Sequence, residues 1–232
     1  MTVLGAISVG TSERDSLVEG LQSFLPPGVE IVTYGALDGM TGGEIAALGP
    51  EPGQRGIVSA GPGGREVLLD HDKIVPHVQR LVARAEADGV AATVVMCGAG
   101  WGMIERTKPL VDPGAVFPAI IAALAGPQKL GVIKPSPTQI AGETARYESL
   151  GVDVVVTAVS PYAGHGAEAV RQAGRELAAA GVQLVWMTCV GFEDEYRTIV
   201  AEEVGVPVIL ARPLLGRVLA EVMATAAVPV LA

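Results

Sequence analysis

The chain predicts an α/β fold of two similar lobes, each a parallel sheet covered by helices, with the active site in the cleft between them. Three observations carry this. Apolar strand-like runs alternate with helix-like segments along the whole chain, a pattern that demands right-handed crossovers and parallel sheets covered on both faces. The pattern is written twice, with Cys97 closing Thr93-Val-Val-Met-Cys97 and Cys189 closing Leu184-Val-Trp-Met-Thr-Cys189. Both runs follow a Gly-Val pair, Gly89-Val90 and Gly181-Val182, and both cysteines are followed within two residues by glycine, at Gly98 and Gly191. Ligands of an open parallel sheet bind outside the carboxyl ends of its strands, so two facing lobes would bring both thiols to one cavity.

The elements follow in order. Val3 to Val9 is continuously apolar and predicts a buried strand. Ser12 is the expected N-cap of a helix running to about Phe24, with Asp15 in its first turn. Val29 to Thr33 gives the second strand. The segment from Gly35 to Gly64 holds ten glycines and is expected to be a loop, with Gly61-Pro-Gly-Gly64 as a mobile lid. A helix over Lys73 to Ala87 leads into the Cys97 strand. The Pro/Gly-rich piece from Lys108 to Pro118 is the expected crossing between lobes. In the second half, Leu130 to Ile133 is a strand, and Ser136-Pro-Thr-Gln139 predicts a capping box with proline at the first helical position. That helix runs to about Leu150. Val152 to Thr157 is the next strand, and a helix from Ala167 to Ala180 precedes the Cys189 strand. Glu193 to Val204 is helical, Pro207 to Leu210 extended, and Leu214 to Ala224 helical. The first lobe is thereby placed at residues 1–112, with a C-terminal helix within 213–232 free to complete it, and the second at 113–212.

At 232 residues and 50% apolar, the chain is long enough to bury a core. Its net charge of −9 is spread rather than blocked, which argues against nucleic acid. Any anion site must be built locally. No basic stretch precedes the first apolar run, so no signal peptide is expected. The longest apolar run, near Val116 to Ala125, is interrupted by Pro118 and falls short of the roughly twenty residues that span a bilayer. A soluble, cytoplasmic protein with no membrane partner is expected.

Two opposed thiols suit one kind of chemistry. Inverting a carbon that bears hydrogen beside a carboxylate needs a base on one face and an acid on the other, because a shared base returns the proton to where it came from. Cys97 and Cys189 supply that arrangement. A free cysteine titrates near 8.5, and a following helix N-terminus is expected to lower this. Gly98, Ala99, Val190 and Gly191 place backbone N–H groups beside the thiols, where they can hold a carboxylate on which charge develops. Ser8, Gly10 and Thr11 end the first strand, where they bind a substrate carboxylate or cap the helix. Lys134, Pro135 and Ser136 hold the matching place in the second half. Ser160 and Tyr162 are expected on a site wall. Asp38 either recognises a substrate ammonium or sets a turn. Arg197 is a carboxylate partner or pairs with Glu193. The chain has no Cys-x-x-Cys, and only His71, His77 and His165 are at hand to complete a metal site, so no metal is expected. Gly98-Ala-Gly-Trp-Gly102 lacks dinucleotide spacing and no Walker lysine is present, so no cofactor is expected either.

These residues resemble the aspartate/glutamate racemase superfamily, whose cofactor-independent members carry two cysteines on two similar lobes. The chain looks most like AroM-type proteins of that superfamily, through Gly35-Ala-Leu-Asp-Gly39, Leu48-Gly-Pro-Glu-Pro-Gly53, Leu130-Gly-Val-Ile133 and above all Met187-Thr-Cys-Val-Gly-Phe192. Racemases of the superfamily commonly show Cys-Asn-Thr and Gly-Cys-Thr. Here the sites read Cys97-Gly-Ala-Gly100 and Cys189-Val-Gly191, so substrate identity does not carry over. The resemblance implies a homo-oligomer acting on an amino acid or related α-substituted carboxylate as a racemase or epimerase. Two alternatives stand beside it: a decarboxylase or cis–trans isomerase that uses one cysteine, and a non-enzymatic small-molecule-binding protein.

Overall fold

The computed structural model describes residues 2–102, 104–162 and 166–224. The first lobe begins with β1 (Thr2–Ser8), α1 (Asp15–Gln22), β2 (Val29–Gly35) and α2 (Gly42–Ala47). A hairpin of β3 (Gly56–Ala60) and β4 (Glu66–Asp70) leads to α3 (His71–Ala87), β5 (Ala92–Val95) and β6 (Leu110–Val111). Helix α4 (Pro113–Ala125) then crosses to the second lobe. That lobe runs β7 (Leu130–Lys134), α5 (Ile140–Ser149), β8 (Val154–Ala158), α6 (Gly166–Ala179), β9 (Leu184–Met187), α7 (Asp194–Val204), β10 (Val208–Leu210) and α8 (Ala211–Ala224). Each lobe carries a four-stranded parallel sheet, in the orders β2-β1-β5-β6 and β8-β7-β9-β10.

The two sheets repeat each other residue by residue. Ile7 pairs with Val95 in the first, and Ile133 with Met187 in the second; each cysteine lies two residues beyond its pair. Met96 N donates to Ile7 O at 2.9 Å as Thr188 N donates to Ile133 O at 3.1 Å. Ala36 N and Val159 N reach Ser8 O and Lys134 O, each at 2.9 Å. Glycine is needed at one matched place in each first strand. A Cβ on Gly5 would lie 3.2 Å from Ala85, and one on Gly131 would lie 3.1 Å from Leu177, so both helices approach the sheet closely only because these side chains are missing. In this register Ser8 and Lys134 are equivalent positions.

Parallel sheets covered on both faces have strands that are apolar throughout, and β5, β7 and β9 are buried along their length. One core is shared between the sheets, where Leu4, Val94, Val132 and Trp186 meet Leu17, Phe117, Tyr147, Leu215 and Leu219. A second lies between the first sheet and α3, and a third between the second sheet and the α6–α7 layer. Helix α8 returns to the first lobe and packs on α1, with Gly216 against the Phe24 ring.

Several local expectations are corrected. The segment from Gly35 to Gly64 is not one loop. Thr41 and Glu44 form a capping box that starts α2, and β3 pairs antiparallel with β4. Gly61 to Gly64 is the tight end of that hairpin, closed by Gly61 N to Arg65 O at 2.7 Å. Ser12 does not cap α1. The helix starts after Arg14 with no side-chain cap, and Ser12 N donates to Asp38 instead. The Lys108–Pro118 piece, expected as the crossing between lobes, contains β6 and the start of α4, the helix that crosses, where Asp112 caps the amides of Gly114 and Ala115. Ser136 caps a single 3-10 turn, Pro137–Gln139, ahead of α5.

Candidate active site

Both cysteines line one cavity of about 330 Å³ at the carboxyl ends of the two sheets. The sheets meet directly there: a Cβ on Gly98 would sit 3.2 Å from Thr188 O of the other lobe. The hairpin supplies Ile57, Val58 and Ser59 to the wall, Gln139 Nε2 holds Gly56 O at 3.1 Å, and Ser160 donates to Glu66 across the same junction. Met96, Val9 and Pro135 add apolar surface.

Each thiol is served by the backbone amide two residues on. Gly191 N lies 3.4 Å from Cys189 Sγ, and the Ala99 amide favours the Cys97 thiolate in the same way. The loop after Cys97 is fixed from three sides. Asp112 accepts the Trp101 amide, His71 stacks on Trp101 at 5.1 Å and reaches Gly100 O at 3.1 Å, and Arg55 donates to Ala99 O. The loop after Cys189 is held by Arg212, which donates to Val190 O at 2.9 Å and grips both oxygens of Glu193. Glu193 is thus taken by Arg212, and Arg197 pairs with Asp194 at 2.6 Å rather than with Glu193.

Burial dominates the electrostatics of the thiols. It pushes Cys97 up to about 12 and raises Cys189 as well, overriding the amides that favour ionisation. The expected lowering by a following helix does not occur, because the residues after each cysteine are loop and the loss of solvation outweighs the amides beside each sulfur. The two sites are unequal. Cys189 gains support from the charge of Arg14 and from Tyr162, whose hydroxyl lies 4.0 Å from its sulfur. Arg14, on the first lobe, donates to that hydroxyl at 2.9 Å and lies over the ring. Gly191 leaves room for it, since a Cβ there would overlap the Tyr162 hydroxyl. Burial also raises Tyr162, so it stays a neutral donor.

Charge is concentrated on one wall. Lys134 at the end of β7 is 6% exposed and lies 3.2 Å from Glu143, with Arg146 at 3.9 Å from the same carboxylate oxygen. With Arg55, the lining carries three cations and one carboxylate.

Of the residues singled out from sequence, Cys97, Cys189, Gly98, Ala99, Lys134, Pro135 and Tyr162 line the cavity. The remainder sit behind it or elsewhere. Ser8 accepts from Gly10 N, Thr11 N reaches Ala60 O, and a Cβ on Gly10 would overlap Ala60 O, so this trio packs the hairpin onto β1. Ser136 and Ser160 hold turns, and Val190 is buried behind Cys189. Asp38 lies outside the cavity and bonds the amides of Ser12 and Gly35, so its role is that of a turn aspartate. His71 is packed on Trp101, and His165 lies outside the described residues. Sequence reasoning missed Arg55, Glu143 and Arg146. The last two share a helix face three residues apart, a spacing that also describes any solvated pair.

The chain matches the AroM protein family over residues 4–223. It belongs to the AroM family. Solved structures share its fold at low identity. An aspartate racemase from Picrophilus torridus is 12% identical, with 97% of this chain and 94% of that one covered and a TM-score of 0.59. A glutamate racemase from Francisella tularensis, in complex with D-glutamate, is 14% identical, with 97% and 82% covered and a TM-score of 0.58. Arylmalonate decarboxylase is 13% identical, with 91% and 87% covered and a TM-score of 0.57. No curated protein matches the chain. The AroM fold is therefore the two-lobed fold of the aspartate/glutamate racemases. Among the described residues, no helix is long and apolar enough to cross a membrane, and no group of three or more His, Cys, Asp or Glu is placed to hold a metal ion.

Proposed function

We propose that this protein is a cofactor-independent racemase or epimerase of an amino acid or related α-substituted carboxylate, with Cys97 and Cys189 as opposed acid and base. The observation that carries the reading is two thiols from matched strand ends on the wall of one cavity sized for a small acid. In one direction Cys189 acts as the base: Arg14, Tyr162 and the Gly191 amide support its thiolate against the burial that raises both thiols. Cys189 takes the α-proton from one face, the electron pair spreads into the substrate carboxylate, and Cys97 delivers its proton to the other face. The roles exchange for the opposite enantiomer.

One observation favours a second reading. A thiol pushed up to about 12 is a proton donor, the only group needed to quench the carbanion left by decarboxylation. Arylmalonate decarboxylase shares the fold.

Solvent deuterium incorporation at the α-carbon, followed over a panel of small amino and hydroxy acids, tests both. Racemisation requires exchange that is lost in Cys97→Ser and in Cys189→Ser alike. Carbon dioxide release that survives one of the two replacements would sink the racemase reading in favour of the decarboxylase. No exchange and no release with any acid would leave a binding protein.

A further inference from the structure

We propose that Lys134 is a catalytic residue of this site: its ammonium receives the substrate carboxylate between the two thiols and stabilises the charge that builds there as the α-proton leaves. The inference deepens the acid/base reading above and rests on it.

The register of the two sheets is what exposes the residue. Lys134 and Ser8 are equivalent positions. Ser8 is spent within its own lobe, accepting from Gly10 N at 3.2 Å. Its counterpart carries a full charge at 6% exposure, on the wall that holds both cysteines. Desolvating an ammonium is costly, and a buried ion pair is commonly replaced by apolar side chains without loss of stability, so stability alone does not account for it. Nor is the ammonium saturated. It has three N–H donors and, among the described residues, one acceptor, Glu143 Oε2 at 3.2 Å. Glu143 also has a second cation, Arg146, 3.9 Å from the same oxygen, which compensates it when Lys134 turns to a ligand. The charge of Lys134 favours the thiolates of both Cys97 and Cys189, as a position between them requires. Glu143 is then a positioning residue that holds Lys134 in place until a carboxylate arrives.

Two alkylating reagents of nearly equal shape test this on the full chain with no knowledge of the substrate. Iodoacetate carries a carboxylate beside its reactive carbon and iodoacetamide a neutral amide. The ratio of their rates at Cys97 and Cys189, resolved by mass spectrometry and normalised to glutathione, cancels any change in thiol ionisation. The native chain is expected to favour iodoacetate by about tenfold over the glutathione ratio, the scale of one charge-assisted hydrogen bond. Lys134→Met should abolish the preference and Lys134→Arg should keep part of it. Should Lys134→Met fold poorly, the double variant Lys134→Met, Glu143→Leu leaves no orphaned carboxylate and must likewise lack the preference. No preference in the native chain, or one that survives loss of Lys134, overturns the assignment. The preference reports recognition and α-deuterium exchange reports reaction, so a preference without exchange defeats the racemase reading and not the carboxylate site.

Discussion

At the scale of single residues, the two thiols differ in what surrounds them. Both are raised by burial, yet Arg14 and Tyr162 stand beside Cys189 only. A thiol alkylates as its thiolate, so the iodoacetamide rate at each cysteine rises with pH and levels off above its own pKa. Cys189 is expected to ionise first, with Cys97 following toward about 12. Arg14→Met should move the Cys189 profile to higher pH and leave that of Cys97 in place. Coincident profiles in the native chain would remove the basis for naming Cys189 the base. This asymmetry was not legible in the sequence. Arg14 is distant from Cys189 along the chain and reaches it only through Tyr162, a contact that depends on the lobes facing each other. The cysteines themselves were legible, because each ends an apolar strand followed by glycine.

At the scale of elements, close approach is bought with missing side chains, and the start of α4 shows it most directly. A Cβ on Gly114 would fall on the backbone of Gly100, in the loop that follows Cys97. Gly114→Ala should therefore destabilise the fold by about 1–3 kcal/mol, as overpacking does, and the same shift should reach Cys97. Chemical denaturation reads the first, and a changed Cys97 alkylation rate with Cys189 unaltered reads the second. Strands and long helices were readable from their apolar periodicity. The hairpin was not: Gly56, Gly61, Gly63 and Gly64 mark it as loop, and its pairing is settled by packing on β1 through Gly10 and Thr11. One missed element did leave a signal, since Thr41 and Glu44 have the spacing of the capping box that starts α2.

At the scale of the whole molecule, the chain ends by returning to its beginning. Leu215, Leu219 and Met223 of α8 belong to the core shared by both sheets, and Arg212 at its start secures the loop after Cys189. A chain stopped at Leu210 is expected to lose cooperative thermal unfolding followed by circular dichroism; a retained sharp transition would show that α8 is dispensable. The repeat that made the two lobes visible in sequence also hid what distinguishes them, because a lysine after an apolar strand looks like an ordinary boundary until register sets it opposite a serine. That mismatch has a kinetic meaning. Mirror-image substrates have equal free energy in water, so for a racemase the ratio of kcat to KM must be the same for both. Lys134 has no twin to balance it, so the two bound enantiomers need not share an energy level, and kcat and KM are each free to differ while their quotient stays fixed.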